Sequence, residues 1–112
     1  MTSKPDEYYF EKALEHIDLV INYTEGKTYD EMFSDSQDAD GICFRLVQIV
    51  EQMKNISLSF INDHPEIPWN KIIGFRNRIV HDYGSTDYTT VYEVVTKDIY
   101  QLKDLFNNVL KK

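Results

Sequence analysis

Arg76, Asn77, His81 and Tyr83 lie close together in the segment Trp69-Asn70-Lys71-Ile72-Ile73-Gly74-Phe75-Arg76-Asn77-Arg78-Ile79-Val80-His81-Asp82-Tyr83. A fixed arginine offers a planar fork to a phosphate. Histidine is the side chain whose ordinary pKa lets it both take and give a proton near neutral pH. Cleavage of RNA by attack of a 2′-hydroxyl needs a base, an acid and stabilisation of charge on phosphorus, but no metal. One chain supplies one such His. A two-fold dimer would set two copies of Arg76 and His81 around one cleft, giving acid and base together. The alternative is structural: Arg76 and His81 could simply hydrogen-bond across a helical bundle.

Placed on a helix, these residues share one face, and an Arg and a His on one helix do not by themselves decide between the two readings. With Arg76 at zero and about 100° per residue, Phe75, Ile79 and Ile72 gather between about 260° and 320°, a core stripe. Arg78 and Asp82 fall toward solvent or an interface edge. Tyr83, Arg76, Val80, Ile73, Asn77 and His81 fill the remaining arc. A helix packed on one side alone has no need of that mixed second face. It suggests a homodimer seam with a polar cleft in it.

The rest of the chain supplies helices to hold this one. Phe10, Leu14, Ile17 and Ile21 step by a helical period and predict a helix from about Pro5 to Tyr23, stopped by Gly26. Thr28 and Glu31 form a capping box for a short helix to Phe33. Asp35 or Ser36 can cap the next. Ile42, Leu46, Ile49, Met53, Ile56 and Phe60 extend a seam that predicts one long helix from about Ser36 to Asn62. Pro65 and Pro68 break it, and Pro68 suits the first turn of the Trp69–Tyr83 helix. Gly84 to Asp87 reads as a turn. Val91, Val95, Ile99, Leu102, Phe106 and Val109 predict a last helix from about Tyr88 to Leu110. The expected fold is all-α: an antiparallel up-and-down bundle of four main helices plus a short extra one, a single domain over residues 1–112.

The net charge of −7 argues against a protein that coats nucleic acid. That charge is local, because residues 1–40 carry eleven acids against three bases. This acidic third reads as a solvated face or as a docking surface for a basic partner. The single Cys43 excludes an internal disulfide and reads as a small apolar core residue. His16 reads as a surface or boundary residue, His64 as a turn-shaping one, and Trp69, which could stack on a base, more readily as core. No metal-ligand spacing and no cofactor motif occurs, and no apolar run is long enough to span a membrane. A cytoplasmic protein is expected.

The lead-in His64-Pro65-Glu66-Ile67-Pro68-Trp69, followed by Gly74-Phe75-Arg76-Asn77-Arg78-Ile79-Val80-His81-Asp82-Tyr83, resembles the HepT-like toxins of the HEPN superfamily. That family's hallmark is Arg, a polar residue, a short gap, His, and often Tyr two residues on. The resemblance extends over nearly the whole chain, including the stretch Asp98-Ile99-Tyr100-Gln101-Leu102-Lys103. It departs in the long helix, where Glu51-Gln52 stand where many relatives have Gly-Glu. The resemblance implies a homodimeric helical toxin of a toxin–antitoxin pair that cuts RNA without a metal. Arg76 and His81 would be catalytic, with Asn77 supporting. It further implies a minimal nucleotidyltransferase antitoxin that silences the toxin by transferring AMP from ATP to Tyr83. Another functional class stays open: a non-catalytic helical module that binds a nucleotide or the partner transferase through the same cleft.

Overall fold

Phe10, Ala13, Leu14, Ile17, Val20 and Ile21 lie on one side of a helix, and burying that side organises the rest of the molecule. The protein, seen in a computed structural model, is described over residues 4–82 and 88–111, with side chains over 5–78 and 88–111. Within those residues every regular element is helical. Helix α1 (Lys4–Thr24) is the central rod. It ends at Gly26, whose φ of 79° lies in the left-handed region that glycine adopts at no steric cost. The short α2 (Tyr29–Phe33) begins with the expected capping box. The Thr28 hydroxyl accepts from the Glu31 amide, and the Glu31 carboxylate accepts from the Thr28 amide. Met32 and Phe33 on α2 are buried against the core. Asp35 then caps α3 (Ser36–Lys54), accepting from the amides of Gln37 and Asp38.

The expected long helix to Asn62 is broken. α3 stops at Lys54, with Asn55 as its C-cap, and a separate α4 (Leu58–Asp63) starts after Ser57. The cause lies at the other end of the chain. Asp6, in the first turn of α1, is buried, and its carboxylate accepts from both the Ser57 amide (2.8 Å) and the Ser57 hydroxyl (3.0 Å). The Ser57 hydroxyl in turn accepts from the Phe60 amide. A buried carboxylate needs such donors, and an amide inside an unbroken helix cannot turn to it.

α5 (Trp69–Asp82) starts one residue after Pro68 and carries Ile72 and Phe75 into the core. The last rod is not a uniform helix either. It runs as α6 (Thr89–Glu93), a π-helical turn over Val94–Asp98, and α7 (Ile99–Leu110). The wider turn lets the adjacent Val94 and Val95 both be buried while Val91 and Ile99 stay on the same seam.

Contacts between the rods set their directions. Asp6 meets Ser57 and His16 meets Arg45, so α1 and α3 run antiparallel. Phe10 packs edge-on against Phe106, and Asp18 pairs with Lys103, so α1 and α7 run antiparallel as well. Among the described residues the result is the expected all-α up-and-down bundle, with α4 as a short helix beyond the expected α2. Among the described residues no helix is long and apolar enough to cross a membrane.

If the Asp6–Ser57 contact fixes the break, Asp6→Ala should lower the unfolding free energy by roughly 1–3 kcal/mol in urea titrations. The exposed neighbour Glu7→Ala should change it by less than about 0.5 kcal/mol. Equal effects of the two would assign the break to another cause.

Candidate functional site

Two tethers hold α5 and fix which way its faces point. At its start, the Trp69 indole N–H donates to the His64 carbonyl at 2.8 Å, and the His64 ring shares a hydrogen bond with Glu66 at 2.9 Å. His64 thus shapes the turn, as its position before Pro65 suggested. Toward its end, Arg78 pairs with Asp98, the last residue of the π-helical turn, and with Glu93 at 3.4 Å. The wheel placed Arg78 toward solvent or an interface edge; the structure makes it a clamp on the last rod.

With Ile72 and Phe75 inward and Arg78 turned to α6 and the π-helical turn, the opposite side of α5 is the more open one over its described side chains. Ile73 is 47% exposed, Asn77 is exposed, and Arg76 is half-buried. Among the described residues Arg76 forms no ion pair, in contrast to Arg78 two positions on. A guanidinium without a carboxylate partner is free to accept a phosphate. Asn77 adds a neutral amide on the same face. His81 lies in the last turn of α5, but its side chain and the whole of Tyr83 lie outside the described residues.

One neighbour of Arg76 was not expected. Arg76 borders an open pocket of about 170 Å³ between the end of α3, α4 and α5, and Lys54 borders it too. Lys54 is half-exposed and pairs with Glu51 at 3.2 Å. Reading one helix through Asn62 hid this arrangement, because the pocket exists where that helix breaks. The available signal was Asn55-Ile56-Ser57, a C-cap type and an N-cap type placed two apart inside an apolar seam. Trp69, expected in the core, is half-buried and lines the same pocket.

The other candidates are structural. Cys43 is buried, and that burial pushes its thiol pKa up, away from a reactive thiolate. His16 is half-buried and accepts from the Arg45 guanidinium at 3.2 Å. Desolvation first, and the Arg45 charge second, hold its pKa below the ordinary value. Among the described residues no group of three or more His, Cys, Asp or Glu could hold a metal.

Residues 13–109 match the family described as ribonuclease HepT-like. A protein named as a probable ribonuclease HepT from Thermococcus cleftensis is 30% identical over 92% of this chain and 94% of its own length. A candidate RNase of Caldanaerobacter subterraneus is 26% identical over 93% of both chains. A Methanocaldococcus jannaschii protein named for a gamma-glutamylcyclotransferase together with a candidate RNase is 31% identical over 93% of this chain. The chain spans only 47% of that last protein. No solved structure matches.

The environment of His16 gives a pH test that needs no substrate. Its depressed pKa means the unfolded chain binds a proton that the folded chain resists. Stability should therefore fall as pH drops through the ordinary value of 6.5 toward the lower folded one. The loss of thermal midpoint between about pH 7.5 and about pH 5 should be smaller in His16→Gln than in the wild type. An identical loss in both would remove His16 from the account.

Proposed function

The chain belongs to the HepT-like ribonuclease family, and from that premise we propose that it is the RNA-cutting toxin of a toxin–antitoxin pair, working as a homodimer through Arg76 and His81. The observation that carries the reading is the open side of α5 over its described side chains. It offers Arg76, without an ion-pair partner among the described residues, beside exposed Asn77 and Ile73. In a two-fold dimer joined along that face, two copies of α5 would border one cleft.

In the proposed reaction one His81 takes the proton from a ribose 2′-hydroxyl as that oxygen attacks the adjacent phosphorus. Arg76 binds the non-bridging phosphate oxygens and stabilises the charge that grows on them. The second His81 gives a proton to the departing 5′-oxygen. The P–O5′ bond breaks as the P–O2′ bond forms, leaving a 2′,3′-cyclic phosphate and a 5′-hydroxyl. Asn77 supports by hydrogen bonding to the phosphate or ribose. No metal takes part in this scheme.

Control is proposed to come from a minimal nucleotidyltransferase that transfers AMP from ATP to the Tyr83 hydroxyl, with release of pyrophosphate. The added phosphate would occupy Arg76 and close the cleft to RNA.

His81→Ala should lower RNA cleavage by roughly 10²–10⁴-fold, the usual share of general acid–base catalysis. Arg76→Ala should lower it by roughly 10²–10³-fold. Both variants should keep the helical circular dichroism and the dimeric solution mass of the wild type. Incubation with the transferase and ATP should add AMP masses to the wild type and none to Tyr83→Phe. Folded variants that cut as well as the wild type would sink the nuclease assignment. AMP found on another residue would sink that of Tyr83.

A further inference from the structure

The pocket beside Arg76 has a chemistry that the cleavage scheme does not use. Phe10 and Ile72 are buried beneath it, Trp69 and Met53 line it, and its charged members are Arg76 and Lys54. We propose that this pocket takes one base of the RNA strand whose phosphate Arg76 holds, so that Trp69 and Lys54 belong to the substrate site. The inference rests on the reading of Arg76 as the phosphate ligand.

Size, surface and charge each point to that occupant. About 170 Å³ is well short of the roughly 300–1,000 Å³ of a site for a drug-sized ligand, so the space suits one planar ring and not a whole nucleotide. The ring would rest on aromatic and aliphatic surface, as bases do in single-strand binding sites. The attached ribose and phosphates must stay outside, where they meet Arg76 and the half-exposed Lys54, whose charge is shared with Glu51. An apolar partner peptide would gain nothing from those cations. A free phosphate would gain nothing from the indole.

The wall is built before any ligand arrives. The Trp69 N–H is already engaged by the His64 carbonyl, and the indole packs near Phe10 at 6.5 Å and edge-on to Phe60 at 6.1 Å. A ring held in place on several sides loses little freedom when a base stacks on it. With its N–H engaged, the indole offers a face and no hydrogen-bond donor. The pocket should therefore accept a base for its ring and not for the pattern on its edge.

The protein's single tryptophan makes this measurable, since Trp69 alone carries the indole emission. The full chain is titrated with a 2′-O-methylated trinucleotide, which cannot undergo 2′-hydroxyl attack, and with an abasic trinucleotide of equal charge. The base-bearing trinucleotide should quench the emission saturably, and the abasic one should not. Filling the pocket from either wall, with Met53→Phe on α3 or Ile61→Phe on α4, should weaken trinucleotide binding by roughly fivefold or more. Thermal melts by circular dichroism check the fold of each variant. If one filler fails to fold, the other and the wild-type abasic comparison still decide.

Equal quenching by the abasic trinucleotide overturns the inference. So do folded fillers that bind and cut RNA like the wild type, an outcome that leaves the nuclease reading standing. A wild type that shows base-dependent quenching but never cuts RNA has the opposite meaning: the base pocket holds and the nuclease reading fails.

Discussion

A buried carboxylate at the start of the chain decides where the longest apolar seam must stop. Asp6 sits in the first turn of α1 with almost no exposure and takes two hydrogen bonds from Ser57, 51 residues away. Continuing α3 through Asn62 would keep a few more intrahelical hydrogen bonds, each of modest net value. It would also hold the Ser57 amide within the helix and remove a donor from a carboxylate that water scarcely reaches. The second loss is the larger, so the helix yields. Everything downstream inherits the change of direction: α4, the His64–Pro68 turn and the starting point of α5.

A second constraint governs what α5 presents. Arg76 and Arg78 are two residues apart, hence on different sides of the helix. Arg78 is bound into Asp98 and Glu93 of the last rod. Asp98 reaches it from the end of a π-helical turn that also buries two adjacent valines. The irregularity thus serves packing and orientation together. Because one arginine fixes the rotation of α5, the other is left on the open side with its charge uncommitted among the described residues.

What could be read from the sequence was what is local. The stripe of α1, the Thr28–Glu31 capping box, the Asp35 cap and the Gly26 stop each depend on residues within about a turn of one another, and each stands in the structure. The break at residues 55–57 depends on a partner half the chain away, and periodicity carries no trace of it. The π-helical turn lies between these cases. Val91, Val95 and Ile99 are spaced by four and four, and a regular helix drifts under that spacing. The sign was present, but a sheet of core positions read one by one does not display it. The site shows the same division. The faces of Arg76 and Asn77 followed from the wheel and held. Trp69 was readable as core or as a stacking residue, while its half-open place beside Lys54 depends on the break.

The acidity of the chain bears on how RNA could be held. A protein that grips RNA through many phosphates loses affinity steeply with salt, by a power of about 0.7 per contact on single strands. A net charge of −7, with eleven acids in the first forty residues, leaves little room for such a grip. Arg76 and Lys54 at the proposed pocket, the latter shared with Glu51, could neutralise at most a couple of phosphates per chain. Most of the remaining attraction must then come from a source that salt does not screen. Apolar burial of a base is such a source, and it acts over contact distance only. On that argument the acidic first third and an RNA site are compatible. In the proposed site the charge would suppress indiscriminate association along the strand, and the pocket, sheltered by the break that Asp6 imposes, would supply the local affinity.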